Sequence, residues 1–424
     1  MNRKLMSILL AAVVMGLMFT NLAFAQTKIV FQTIVRGDFP EIISLFEKEN
    51  PDIKVEFRLV PYNVHLEQLL TSFAAGDGPD VCYINSPWAS PLISRGYIEP
   101  ITDFIRANID TTSYHEASWE AFTVNDEIYA LPVRVGIEAM YYNKEMLKEG
   151  GFDSPPKTWD EYLEWAKAVS NPAKRKYAYG MTAQAPMSLS YRYLCWLLSA
   201  GGNIADEHYT TGLMNTEEAI ASLDFETSLY TKYNACPPTA ITDNINDVYL
   251  MLVQGMVGSM LRPPCDLLDM YRDHNDFFNE KLVIGPMPSF DGKKPGITVF
   301  FTYGLARKSN TKNPEACNKL IEFFSRPEHM AKITMGCLPA DEKALAYPGP
   351  EVADGVSIPY DHEHYQGFLR QAPFARTMPI HPLWPQIEEA IWEGYHEILQ
   401  KGLKVEVAAE KINDKINEIL KQKH

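Results

Sequence analysis

Apolar positions along the chain change period several times, and each period names an element. Ile29-Val30-Phe31 is a short apolar run that predicts a strand, and Val35-Arg36-Gly37-Asp38 follows as a loop. Ile42, Leu45 and Phe46 then recur at the spacing of one helix face. Asp38 stands where an N-cap belongs, Pro40 falls in the first turn, and Asn50-Pro51 stops the helix. Ile53, Val55, Phe57 and Leu59 alternate with Lys54, Glu56 and Arg58, a strand with one wet face. Leu66, Leu69, Leu70 and Phe73 form a second helical stripe, closed by the turn Gly76-Asp77-Gly78-Pro79, and Val81 to Ile84 make a short buried strand.

Strand, helix, strand, helix, strand predicts an α/β domain with a mainly parallel sheet. In such sheets ligands sit in the crevice beyond the carboxyl ends of the strands. Two loops occupy that place, Arg36-Gly37-Asp38 and Asn85-Ser86-Pro87-Trp88, and they are the first site candidates.

A second structured region begins near Tyr141. Trp159, Tyr162, Leu163 and Ala166 mark a helix opened by the capping-box pattern Thr158-x-x-Glu161, and Leu194, Leu197 and Leu198 mark another before Gly201-Gly202. Leu282-Val283-Ile284 and Thr298 to Leu305 read as strands. Asn318 to Phe324 reads as a helix stopped by Arg326-Pro327. Val405, Ala408, Ala409, Ile412, Ile416 and Leu420 line one face of a C-terminal amphipathic helix. Tyr347 to Tyr360, rich in Pro and Gly, is expected to be a long surface loop, and Asp291-Gly292-Lys293-Lys294 a hairpin turn.

The first residues change the compartment. Arg3 and Lys4 precede an apolar run from Leu5 to Phe19, and Ala23-Phe24-Ala25 ends it with a small-x-small pattern. That is the design of a secretory signal peptide, residues 1–25, with cleavage expected near Ala25 and delivery to the periplasm. No later run approaches the ~18 apolar residues of a membrane span. The 424 residues support two globular domains, and the formal charge of −15 disfavours nucleic acid or anionic lipid as a partner. The six cysteines are far apart and form no zinc or redox motif. Cys82 and Cys195 read as buried small hydrophobes, and a Cys317–Cys337 disulfide is one possible pairing.

Catalytic signatures are missing: there is no Gly-x-Ser-x-Gly, His-Glu-x-x-His, P-loop or Gly-x-Gly-x-x-Gly. His362-Glu363-His364 lacks a third anchor and reads as a polar loop, so no metal and no cofactor are expected. A carboxylate pair for glycoside hydrolysis has no sequence signature, so a secreted carbohydrate hydrolase stays open as an alternative.

Several segments carry a family resemblance. Phe46-Glu47-Lys48-Glu49-Asn50-Pro51-Asp52-Ile53-Lys54-Val55 and Gly76-Asp77-Gly78-Pro79-Asp80-Val81 resemble the N-terminal lobe of bacterial extracellular solute-binding proteins, specifically the maltose-binding-protein-like group that serves carbohydrate ABC importers. Ile128-Tyr129-Ala130-Leu131-Pro132, Tyr142-Asn143-Lys144, Pro156-Lys157-Thr158-Trp159-Asp160-Glu161, Ser199-Ala200-Gly201-Gly202, Lys312-Asn313-Pro314-Glu315-Ala316 and Leu338-Pro339-Ala340 continue the resemblance in order over nearly the whole mature chain. It implies two α/β lobes joined by a hinge of crossing strands, type II in the binding-protein scheme. The lobes would comprise 26–135 with 286–340, and 141–283 with 345–424. It further implies a monomer without enzymatic activity that captures a sugar between its lobes and delivers it to a membrane permease. A ligand-sensing subunit for a membrane receptor is a second alternative.

The chain departs from the family where its ligand sits. Arg262-Pro263-Pro264-Cys265 stands where the family often has Asn-Gly-Pro-Trp, and Phe301-Thr302 replaces a Gly-Gly ahead of Tyr303-Gly304-Leu305-Ala306. A sugar pocket needs flat apolar faces for ring C–H groups and fixed polar groups for hydroxyls. Trp88, Tyr303 and Trp384 are the aromatic candidates, each with core packing as the alternative. Asp38 and Asn85 are the hydroxyl binders, with a plain N-cap as the alternative for Asp38. By the family alignment Arg134, Arg262 and Arg376, with Arg36, face the cleft. Their planar forks suit a carboxylate, so an acidic, uronate-type sugar joins the neutral ones as an expected ligand. The alternative is that each arginine pairs with a neighbouring acid such as Glu138 or Asp266.

Overall fold

The computed structural model describes residues 26–34, 38–353 and 356–422; the expected signal peptide and Arg36 lie outside them. The chain starts with β1 (Thr27–Thr33), α1 (Phe39–Glu49), β2 (Ile53–Leu59), α2 (Tyr62–Ala74), β3 (Val81–Asn85) and α3 (Ser86–Ile93). These follow the apolar periods, with two local corrections. Asn85-Ser86-Pro87-Trp88 is not a loop: β3 runs directly into α3, and Pro87 near its start gives up no needed N–H. Asp38 occupies the N-cap position of α1, but its side chain makes no cap bond. Burial raises its pKa, while a backbone N–H of Glu351 binds the carboxylate.

Next come β4 (Ala130–Ile137), β5 (Ala139–Asn143), α4 (Trp159–Val169), β6 (Tyr177–Tyr179), α5 (Pro186–Ser199), α6 (Glu217–Thr231), β7 (Val257–Arg262), β8 (Leu282–Gly285) and β9 (Thr298–Arg307). The chain ends with α7 (Pro314–Ser325), β10 (Leu338–Pro339), β11 (Ala375–Thr377), α8 (Trp384–Lys401) and α9 (Val405–Leu420). Thr158 caps α4 as expected, through a 3.2 Å bond from the Glu161 N–H. The Glu161 carboxylate reaches past it to the N–H of Lys157 at 2.7 Å, so the box closes one residue early.

Two main sheets result. A seven-stranded sheet has the order β10-β4-β9-β3-β1-β2, with β11 also on β9, and a four-stranded sheet has the order β8-β5-β7-β6. β1 pairs parallel with β2 and β3, as the strand-helix rhythm requires, but β9 runs antiparallel to both β3 and β4. The larger sheet is therefore mixed. It is a late strand, invisible to the local rhythm, that completes it.

The chain passes between the sheets at Glu138, the single residue between β4 and β5, and again between β8 and β9. Glu138 is pinned there: its N–H donates to the Val299 carbonyl at 3.0 Å, and the Thr298 hydroxyl donates to its carbonyl at 2.5 Å. Two α/β lobes joined by crossing strands follow from this path. Because β8 and β9 lie in different sheets, Asp291-Gly292-Lys293-Lys294 is no hairpin. It is a turn within the crossing, held by the Lys293 N–H on Asp291 Oδ1 and the Gly292 N–H on Ser289 Oγ.

Three rings, Phe31, Phe39 and Phe324, lie 5.4–5.5 Å apart and join β1, α1 and α7 in the first core. Trp159, Tyr162, Trp196 and Phe225 do the same in the second. The C-terminal helix buries Ala408, Ala409, Ile412 and Ile416 as its stripe requires. Tyr347 to Tyr360 is more than a loop: Glu351–Ala353 pairs with Val356–Ser357, and Ile358 and Tyr360 are buried. Cys82 and Cys195 are buried thiols as expected, but the disulfide joins Cys265 to Cys337, leaving Cys317 free and buried.

Candidate functional site

The larger sheet sets three chemically distinct side chains in one row. Tyr303 on β9 lies opposite Asn85, the last residue of β3, and on its other side opposite Arg134 of β4. Residues directly opposite in antiparallel strands project from the same face. Asn85, Tyr303 and Arg134 therefore form a lateral strip of amide, phenol and guanidinium. Phe301, two residues earlier, projects beside them, and it can do so because its partner Gly136 has no side chain. A Cβ there would come within 2.1 Å of the Phe301 ring.

The strip is walled by rings. Tyr83 stacks on Tyr303 with centroids 5.3 Å apart and an interplanar angle of 15°. Trp88, at the start of α3, packs against Tyr62 at 5.0 Å and His65 at 5.6 Å. His65 is held by the Tyr83 carbonyl at 3.0 Å, and burial lowers its pKa to about 4.

The opposite wall comes from the other lobe. Helix α5 lies against both α8 and β9, which brings Tyr191 over the strip. Asn85 Nδ2 donates to Tyr191 Oη at 2.9 Å and to Tyr62 Oη at 3.0 Å, and the Tyr62 hydroxyl reaches Met187 Sδ at 3.4 Å. The Tyr191 ring meets Phe301 edge-on at 5.3 Å. Burial pushes the Tyr62, Tyr83 and Tyr191 phenols well up, so all three act as neutral hydroxyls. Three buried polar atoms here have no protein partner: Asn85 Oδ1, Tyr83 Oη and Arg134 Nε. Buried polar groups are nearly always satisfied, so these three atoms are free to take partners from outside the chain.

The arginines divide sharply. Arg134 is only 4% exposed, and its guanidinium lies 3.9 Å from the Tyr303 ring centroid and 5.8 Å from that of Tyr83. It forms no ion pair among the described residues. Arg262 is also buried but pairs with Asp266 and reaches Asn246 Oδ1 at 3.5 Å. Arg376 is exposed on β11 and donates to its own neighbour, the Ala375 carbonyl. An unanticipated arginine, Arg192 of α5, holds Glu138 at 3.3 Å. Burial raises the Glu138 pKa, opposed by Arg192 and Arg262.

The remaining described candidates lie on elements other than those of the strip. Asp38 is half-buried beside Glu351, and Trp384 is buried at the start of α8. Tyr62, Tyr83, Tyr191 and Glu138 escaped the sequence candidates because nothing local distinguishes them from core residues. Asp266, named in the sequence as an acid an arginine could pair with, does hold Arg262. His362 accepts the His364 N–H as a helix cap, and His364 Nε2 contacts the Phe278 carbonyl at 2.8 Å. No cluster of metal-ligand side chains occurs among the described residues.

An α/β pair of lobes with a ring-walled, hydroxyl-rich strip between them defines a ligand-binding protein of the two-lobe kind. The chain belongs to the bacterial extracellular solute-binding proteins: the family model matches residues 31–331. A putative binding protein of Brucella abortus (strain 2308) is 26% identical over 372 residues, covering 86% of this chain and 85% of the relative. A maltotriose-binding protein of Pyrococcus abyssi is 25% identical over 364 residues, covering 84% and 72%. Among solved structures, an ABC transporter solute-binding protein of Thermotoga lettingae with bound α-D-tagatose superposes with a TM-score of 0.82 at 25% identity, covering 93% of this chain and all of that one. A maltose-bound T. maritima protein, with a TM-score of 0.77 at 23% identity over 92% and 99% of the two chains, supports the fold alone. These are substrate-binding proteins, not enzymes. No helix of the described residues is long and apolar enough to cross a membrane.

Proposed function

We propose that this protein captures a sugar or oligosaccharide between its lobes and delivers it to the permease of an ABC importer. The reading covers neutral and uronate-type acidic sugars, with Asn85, Arg134, Phe301 and Tyr303 lining the site and Trp88 supporting it. One observation carries it. A row of amide, phenol and guanidinium on one lobe faces Tyr191 of the other, with three buried polar atoms lacking protein partners. Rings supply flat faces for sugar C–H groups, and the polar atoms supply hydroxyl partners. The names of the Pyrococcus relative and the Thermotoga neighbour point the same way.

We take the lobes as 26–135 with 286–340 and 141–283 with 345–424, a division the two sheets support except at Ala375–Thr377, which pairs with β9. Entry of a ligand breaks the Asn85–Tyr191 bond, and a ligand touching both walls restores the bridge. Closure is thereby favoured through differential affinity for the two states. Export with removal of the first 25 residues places this work in the periplasm, with the protein as a monomer.

A thermal-shift screen of the mature chain against neutral sugars, uronates, amino acids and small peptides tests the reading. A ligand at ~100 times its Kd adds roughly 2.7 kcal/mol of stability, a visible shift. Stabilisation by sugars is expected. Stabilisation by amino acids or peptides alone would refute the carbohydrate reading and leave the family standing.

A further inference from the structure

Building on the carbohydrate reading, we infer that the ligand carries a carboxylate and that Arg134 is its anchor. Two arginines are buried among the described residues, Arg134 and Arg262. Arg262 has Asp266 beside it, and Arg192, largely buried on α5, has Glu138. Among the described residues Arg134 has neither an ion-pair acid nor a hydrogen-bond acceptor. Its contacts are the faces of Tyr303 and Tyr83, and its Nε is sealed from solvent without a partner.

Burying most of a guanidinium without a counter-charge costs several kcal/mol, of which a desolvated cation–π contact returns about 2 kcal/mol or somewhat more. The arrangement therefore calls for an anion. A sugar hydroxyl offers a dipole, which satisfies one N–H but leaves the charge uncompensated. A carboxylate accepts two parallel N–H bonds from the fork and cancels the charge as well.

The neighbours fit the rest of such a molecule. Tyr303 lies under the guanidinium and in line with Asn85, so a pyranose whose carboxylate meets Arg134 lies along the strip. Its hydroxyls then reach Asn85 Oδ1 and Tyr83 Oη, the other two unpartnered atoms. Burial keeps the Tyr83 and Tyr191 hydroxyls neutral, Glu138 is engaged by Arg192, and Glu388, the acid that bears on Tyr191, is itself pushed up to about 7 by burial. A uronic acid, alone or at the end of an oligosaccharide, has this chemistry.

Calorimetric titration of the wild-type chain with glucuronate and galacturonate mono- and disaccharides, with their methyl esters and with the parent neutral sugars, tests the inference. The ester keeps the shape and removes the charge, so affinity is expected to fall roughly 10–100-fold from acid to ester, the worth of a charged hydrogen-bonded pair. Arg134→Gln is expected to abolish that difference while apo Tm stays level or rises, since a buried unpaired charge is removed. A fall in apo Tm, with the preference for acid retained, would assign Arg134 a structural role and overturn the inference. Esters or neutral sugars binding as tightly as the acids would overturn it too, leaving the carbohydrate reading intact. Failure of every sugar would remove both.

Discussion

Arg134 and Arg262 are both buried, and they stand in opposite electrostatic circumstances. Arg262 ends β7 of the smaller sheet, where Asp266 four residues on neutralises it and Asn246 accepts a further bond. Arg134 lies mid-strand in the larger sheet and rests on aromatic rings. The first is a closed account, a charge and its counter-charge supplied by one short segment. The second is open among the described residues, and on our proposal the ligand completes it. The difference teaches that a buried guanidinium signals a ligand only after its acids have been located. Residue type and burial alone do not separate the two cases.

The disulfide links these two regions. Cys265 lies between Arg262 and Asp266, while Cys337 immediately precedes the β10 segment whose Pro339 pairs with Arg134. Gly336, at φ 85°, lets that segment close on the Cys265 backbone, which a Cβ would approach to 2.6 Å. The bridge is thus a covalent tie between the sheets in addition to the chain crossings.

The largest expected effect comes from cutting this tie. Cys265→Ser with Cys337→Ser opens a loop of 72 residues, and chain-entropy arguments put the loss at roughly 4 kcal/mol. Urea unfolding of the two forms measures it. An undiminished midpoint would show that the bridge does not constrain the unfolded chain. Next in size, Asp266→Ala leaves Arg262 buried without its acid and is expected to cost about 3 kcal/mol, because a stranded buried charge is costlier than a missing pair. Arg134→Gln, by contrast, is expected to stay within about 1 kcal/mol of wild type or exceed it. Equal losses in the two variants, measured by the same unfolding method, would erase the contrast between the regions.

A smaller, pH-dependent effect sharpens it. The lobe built on the smaller sheet buries Glu226, bonded by Tyr179 and Tyr395, and Glu388, bonded by Ser190. Burial pushes each up to about 7 from 4.5. Since the folded state favours the protonated acid, their contribution is fully present below pH 4.5 and is lost as the pH rises to about 7. Stability should therefore decline across that window, and less steeply in Glu226→Gln. An identical slope in the variant would remove Glu226 from the explanation.

Much of the architecture was legible in the apolar periods. The stripe Ile42-Leu45-Phe46 and the alternation from Ile53 to Leu59 became α1 and β2 because local pattern and burial agree there. The mixed sheet was not legible, since β9 joins β3 from more than two hundred residues away and no local signal encodes that partner. Asn85 and Tyr303 were readable as candidates, one from its place at a strand end and one from the family resemblance. Their alignment with Arg134 depends on register across three strands, which is a tertiary fact. Cysteine pairing failed for the same reason: Cys265 and Cys337 are distant in sequence, and spacing does not choose among partners.

The most direct test of the central claim is a crystal structure of the protein with the sugar that stabilises it most. The expected result places the sugar between the two sheets, stacked against Tyr303, within hydrogen-bond reach of Asn85 and Arg134, and touching Tyr191 from the other lobe. A sugar seated elsewhere, with the Asn85–Tyr191 bond intact and Arg134 still resting only on its rings, would contradict the account.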